Sequence, residues 1–169
     1  MNYIIAYTDG ACTNNQNKKI RKGGYGVHFG IDDIKNCSIK LTGDKITNQV
    51  AELSACLYAI EKCIEYNNFN NIKHDIIIKT DSMYIINSIT KWCKGWEKKG
   101  WKKADNSNVE NVELIKKIYN YYTNTEGICI KFCHVKAHQK EPSKDDPSYD
   151  DWYGNMMADM LATNASKSL

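Results

Sequence analysis

Residues 3–8 are apolar, aromatic or β-branched and run into Thr8-Asp9-Gly10, a turn signal, so they read as a strand. Residues 23–30 and 34–41 read as two more strands, with Gly30 and Asp32-Asp33 supplying the turn between them. The first three strands thus form an antiparallel meander. From about Asn48 the period lengthens: Val50, Leu53, Leu57, Ile60 and Ile64 have the i, i+3, i+4, i+7 spacing of a helix with one buried stripe. The asparagine-rich stretch 67–71 ends it. Asp75 to Thr80 is a short, strongly apolar strand suited to a central position, and Asp81-Ser82 caps a helix running toward Trp92. A lysine- and tryptophan-rich segment at 92–103 follows, then a helix near 109–122 and a strand at 127–135. After a long polar loop, a last helix starts around Trp152 and continues through Met160-Leu161. The order β-β-β-α-β-α-α-α-β-α predicts an α/β fold, a mixed sheet with helices on its faces. No linker or repeat interrupts it, so residues 1–169 read as one domain.

Composition narrows the class. The apolar share of 42% and charged share of 25% are those of a soluble globular protein. No apolar run reaches the roughly 20 residues of a membrane helix, and no membrane partner is expected. Met-Asn-Tyr-Ile-Ile-Ala-Tyr lacks the basic region and long apolar stretch of a signal peptide. An intracellular setting, cytoplasm or nucleus/nucleoid and not secreted, is therefore expected. Seven cysteines are an odd number with no framework spacing. Cys56 and Cys63 share a helix face as small buried hydrophobes. Cys129 and Cys133 share one strand face while His134 points to the other, which favours a strand partly in the core over a zinc site.

The net charge of +3 diagnoses no polyanion partner, but its distribution is polarised. Lys91 to Lys103 holds six lysines against one acid, Glu97; Glu141 to Asp151 holds five acids against one lysine, Lys144. A basic patch and an acidic loop on one small domain imply distinct surfaces.

Four acids stand where an acid is structurally odd. Asp9 and Asp81 each end an apolar strand, Glu52 sits between Val50 and Leu53, and Asp159 lies in Met156-Met157-Ala158-Asp159-Met160-Leu161. Singly, each has a plain structural explanation: a turn, a helix cap, a first-turn acid, a lysine partner. Buried acids are costly unless paired or bound to a cation. If the strands ending at Asp9 and Asp81 are neighbours, their carboxylates lie side by side at the sheet's end. Divalent ions would then neutralise the cluster, and oxygen donors select Mg²⁺ or Mn²⁺ over zinc. Two such ions can clamp the attacking and leaving oxygens of a phosphodiester.

The wording around these acids resembles type 1 ribonuclease H, the branch with a basic handle. Tyr7-Thr8-Asp9-Gly10-Ala11-Cys12 is similar to the family's first strand, and Thr47-Asn48-Gln49-Val50-Ala51-Glu52-Leu53 to its T-N-x-x-x-E helix start. Thr80-Asp81-Ser82, His134-Val135-Lys136-Ala137-His138 and Asn155-Met156-Met157-Ala158-Asp159-Met160-Leu161-Ala162 resemble its T-D-S segment, its histidine loop and its N-x-x-A-D-x-L-A helix. Five motifs in order, from about Tyr3 to Ala165, make the resemblance specific. It implies a ribonuclease H-like fold with a five-stranded mixed sheet, three antiparallel strands then two parallel, flanked by helices. It also implies an endonuclease that hydrolyses the RNA strand of RNA–DNA hybrids, leaving 5′-phosphate and 3′-hydroxyl ends.

By the same resemblance, Asp9, Glu52, Asp81 and Asp159 are catalytic and hold two Mg²⁺ ions, for which Mn²⁺ can substitute. Asp9 bridges both, Asp159 joins it at the ion that activates water, and Glu52 and Asp81 hold the other. His138 assists proton transfer or product departure. Asn15, Asn48 and Gln49 contact the RNA strand, whose 2′-hydroxyls both donate and accept. Lys45, Thr47 and Asn111 are placed for a phosphate of the DNA strand. A handle at about 92–108 brings Trp92, Trp96, Lys98 and Lys99 to the same strand, tryptophans against deoxyribose and lysines against phosphate. The partner is the hybrid duplex, bound by a monomer. Between His138 and Asp159 the chain takes 21 residues, about twice the bacterial pattern. The extension, about 139–151, is acidic, carries both prolines and is expected beside the metal site. With the first strand starting at Tyr3, no separate N-terminal hybrid-binding module is expected. A silent binding module on the same fold is disfavoured by the intact acids. A DNA strand-transferase or junction resolvase is disfavoured by Asn48, Gln49 and the handle.

Overall fold

The computed structural model describes residues 2–13, 17 and 20–168. A five-stranded sheet has the order β3-β2-β1-β4-β5, built from β1 (Tyr3–Cys12), β2 (Gly23–Phe29), β3 (Cys37–Lys40), β4 (Asp75–Thr80) and β5 (Ile130–His134). The first three pair antiparallel, while β1–β4 and β4–β5 pair parallel. The expected mixed sheet is therefore the observed one. Among the described residues no helix is long and apolar enough to cross a membrane.

Helix α1 (Asn48–Asn70) lies on one face of the sheet. Thr47 caps it, its hydroxyl oxygen accepting from the Val50 N–H at 3.1 Å. The expected stripe of large residues is only partly the buried one. Leu53 and Ile60 are buried, but Val50, Leu57 and Ile64 are half-buried, and Ala51, Ala55, Cys56, Ala59 and Cys63 fill the contact. Small side chains let the helix lie close against Ile4, Ala6, Ile76 and Ile78 of the core. Asn71 ends the helix at φ 53°. The buried Asn67 side chain then pins the turn into β4, donating to the His74 carbonyl at 2.9 Å and accepting its N–H at 3.2 Å.

Helix α5 (Tyr149–Lys167) covers the opposite face. Its approach depends on glycine. A Cβ on Gly154 would sit 2.3 Å from the Tyr7 ring, and one on Gly24 or Gly26 would meet α5 atoms at 2.5 or 2.6 Å. The helix begins three residues earlier than the pattern predicted, so Asp150 and Asp151 are first-turn acids of α5. The acidic extension is correspondingly shorter and ends at Ser148.

Strand β1 is longer than expected. Gly10 reads as a turn residue but lies within the strand, because a Cβ there would be 2.5 Å from the Glu52 nitrogen. On β5, Ile130 is buried and Phe132 half-buried, whereas Cys129 and Cys133 are exposed on the other face. The helix after Asp81 does not stop at Trp92. It runs as α2 (Met83–Asn87), a π-helical turn (Ser88–Trp92) and α3 (Cys93–Lys98). The segment after it returns over Trp101, whose ring meets Tyr119 of α4 (Val112–Asn124) at 6.1 Å between centroids. Lys116 lies 5.4 Å over the same ring, so Trp101 joins the handle to the body.

Gly26 is the register partner of Asp9. Gly26→Ala is expected to cost about 1–3 kcal/mol through overpacking against α5. Urea unfolding of the variant and the parent measures this difference.

Candidate active site

Parallel pairing of Thr8 with Thr80 carries the next residues, Asp9 and Asp81, side by side off the end of the sheet. Gly10 lets the first turn of α1 close over that end and brings Glu52 to them. One oxygen from each of Asp9, Glu52 and Asp81 lies within 4.8 Å of the others. Asp159 lies outside this trio, but α5 places its carboxyl within hydrogen-bonding reach of Asp9. The four scattered acids thus converge.

Their electrostatics follow from crowding and burial. Asp9 is buried, and burial first, then the charge of Asp81, push its carboxyl up to about 9. The Gly10 N–H, 2.9 Å from its oxygen, acts in the opposite direction. Burial raises Glu52 too, moderated by a hydrogen bond from Ser82 and reinforced by the charge of Asp81. Asp81 is raised by burial and by Asp159, with His138 and His134 opposing the shift. The trio can hold a metal ion, and all its donors are carboxylate oxygens, which suits a hard divalent cation.

Ser82 and His134 were not among the expected site residues. Ser82 both caps α2 and bonds Glu52. His134 is the register partner of Thr80, which the parallel pairing of β4 and β5 dictates. His138 stands in the loop after β5 at φ 54°. Asn48, Gln49 and Lys45 are exposed at the start of α1, and Thr47 is half-buried beneath them. Asn111 is α4's cap residue at φ 57°, its amide nitrogen 3.4 Å from the Tyr84 hydroxyl. Asn15 lies outside the described residues. On the handle, Trp92 and Trp96 have ring centroids 5.8 Å apart. With Lys91, Lys99, Lys102 and Lys103 they line a groove of about 390 Å³. Lys98 is exposed nearby and does not line it.

A family model described as RNase H matches residues 1–167. The chain belongs to the ribonuclease H family. A probable ribonuclease H of Acanthamoeba polyphaga mimivirus is 37% identical over 145 residues, 86% of this chain and 58% of that protein. Ribonuclease H1 of Homo sapiens is 34% identical over 165 residues, 98% of this chain and 50% of that protein. The chain therefore spans little more than half the length of these ribonuclease H relatives. A foamy viral protease-reverse transcriptase, solved in complex with an RNA/DNA hybrid, has 26% identity and a TM-score of 0.73. The match covers 99% of this chain and 20% of that one.

A carboxyl held up by its neighbours makes the metal-free fold less stable as pH rises. From about pH 4 to about pH 9 the folded protein binds more protons at Asp9 than the unfolded one, so stability falls across that window. In chelator, Tm is expected to drop as pH rises through this window. Asp9→Asn is expected to raise Tm at about pH 8 and to leave it nearly unchanged at about pH 4. Calorimetry at both values checks the sign.

Proposed function

We propose that this chain is a divalent-metal-dependent endonuclease that hydrolyses the RNA strand of RNA–DNA hybrids, leaving 5′-phosphate and 3′-hydroxyl ends. The convergence of Asp9, Glu52, Asp81 and Asp159 at the sheet's end carries this reading. Family membership and the likeness to a reverse transcriptase bound to a hybrid support it.

The four carboxylates would hold two Mg²⁺ ions, with Mn²⁺ able to replace them. Bound there, the ions supply an activated water and stabilise charge on the leaving 3′-oxygen. The chain's own residues do the rest. Ser82 orients Glu52 through its hydroxyl. His138, close enough to Asp81 to be felt electrostatically, moves a proton at the leaving side. Exposed Asn48 and Gln49 offer amides that both donate and accept, the chemistry a 2′-hydroxyl requires. Thr47's oxygen already accepts from Val50, so its hydroxyl proton remains for a phosphate of the DNA strand. Lys45 and Asn111 would serve the same strand.

The handle groove suits a deoxyribose-phosphate backbone. Trp92 and Trp96 give it an apolar wall, and four lysines face the phosphates. Lys98 adds charge beside it. A monomer presents the acid cluster and this groove together, so we assign the hybrid to one copy of the chain.

Labelled hybrid, DNA duplex and RNA duplex, each with Mg²⁺, test the reading. Only RNA within the hybrid is expected to be cut, and cleavage of either plain duplex at a similar rate refutes the assignment. Asp81→Asn is expected to reduce turnover to below roughly a hundredth of the parent rate. Trp92→Ala with Trp96→Ala is expected to raise KM roughly tenfold or more with little change in kcat, from lost stacking.

A further inference from the structure

Asp151 and Trp152 lie in the first turn of α5, outside the acid cluster, yet both bond toward it over long sequence distances. One oxygen of Asp151 accepts from the Tyr7 hydroxyl at 2.7 Å and from the Lys79 ammonium at 2.7 Å. Tyr7 and Lys79 are register partners across β1 and β4. Each stands two residues before a cluster acid, Asp9 or Asp81, on the same strand face. Asp151 therefore fastens the start of α5 one step below the cluster.

Trp152 extends this anchorage outward. Its indole N–H donates to the Gln139 carbonyl at 3.0 Å, and Gln139 directly follows His138. A cavity of about 330 Å³ separates the end of β5, the loop and α5, with His134, Val135, Gln139, Pro142 and Trp152 on its walls. His138 also keeps a left-handed backbone, φ 54°, which costs energy for a residue with a Cβ. Two bonds flank it: the Gln139 side-chain amide donates to the Ala137 carbonyl at 3.0 Å within the loop, and among the described residues the indole bond alone ties the turn to α5.

We propose that Trp152 is a positioning residue that holds His138 over the acid cluster, with Asp151 fixing the turn from which it acts. The inference rests on the role assigned to His138 above. The connection runs from Asp81 along β4 to Lys79, across to Asp151, and through Trp152 to Gln139 and His138. The nine-residue stretch between Gln139 and Tyr149 can then vary in course without loosening the histidine.

The test is a double-mutant cycle on hybrid cleavage in Mg²⁺, with Trp152→Phe and His138→Ala, each variant's Tm being measured alongside. Trp152→Phe keeps the ring packing and removes the donor. One hydrogen bond of this kind changes a loop's occupancy roughly three- to tenfold. Trp152→Phe is therefore expected to lower kcat roughly three- to tenfold, with KM within about twofold, and to have no further effect in the His138→Ala background. Asp151→Asn, which weakens the anchor and spares the indole, is expected to behave alike and decides the matter if Trp152→Phe does not fold. Equal losses in both backgrounds, or an unchanged kcat, overturn the positioning role. A His138→Ala enzyme that turns over at the parent rate overturns the assignment of His138 itself, and this inference with it.

Discussion

Mutual repulsion among carboxylates at one end of a sheet is the constraint around which this chain is arranged. Asp9, Glu52 and Asp81 bring oxygens within 4.8 Å. At that separation a pair of full charges repels by about 3–4 kcal/mol at an effective dielectric constant of 20. Burial first and this repulsion second raise the carboxyls of all three, Asp9 most of all, because it is the most buried and feels both Asp81 and Asp159. A cation gives relief without protonation. The charge that destabilises the cluster is what a hard divalent cation would offset.

Repulsion of this size would spread a loose structure. Here each acid is fixed by a different element, and the elements are locked to one another below the cluster. Asp9 and Asp81 are held by a parallel ladder, which fixes their register to within a residue. Glu52 is held by the close approach of α1 over Gly10, and Asp159 by α5, which sits on Gly24 and Gly26 of β2 and brings its own Gly154 against the Tyr7 ring. Adding a single Cβ at any of these glycines drives a helix away from the sheet. The buried Asn67 and the Asp151 anchor serve the same end, tying helix termini to strand ends through satisfied polar contacts.

Most of this was legible in the sequence, and the failures have physical causes. The element order, a mixed sheet and four out-of-place acids follow from the apolar runs; which strands are neighbours was left conditional, and the five-stranded arrangement and the grouping of the acids into one ligand set came with the resemblance to ribonuclease H. The stripe on α1 was read from its large residues, whereas the helix is seated by Ala51, Ala55, Ala59, Cys56 and Cys63. Hydrophobic periodicity weights size, but a helix lying close on a sheet needs small side chains. Gly10 was read as a turn because a glycine after an aspartate usually is one; its purpose is to admit α1. Asp150 and Asp151 were assigned to a polar loop, although acids following Ser148 are also what a helix N-terminus attracts. That misplacement concealed the bonds to Tyr7 and Lys79. The nearness of His134 to Asp81 depends on β4–β5 register, which no local pattern encodes. Expectations for Asn48, Gln49, Lys45 and Thr47 concern what the surface would touch, and Asn15 falls outside the described residues.

Opposite burial lets the acid cluster and the basic handle coexist on one small domain. Lys91, Lys99, Lys102 and Lys103 are exposed, so at physiological salt their field fades over about 8 Å. The acids are buried or half-buried and are screened far less. A polyanion therefore gains at the handle at any salt low enough to leave the lysines unscreened. At the cluster it meets repulsion until cations offset the carboxylates. On the proposed function, affinity and reactivity would be separated in space and in charge: the lysines would attract a backbone without metal, while the cluster would admit a phosphate only with cations bound. On that reading, the lysines would hold a strand that is cut only once cations offset the charge of the carboxylates.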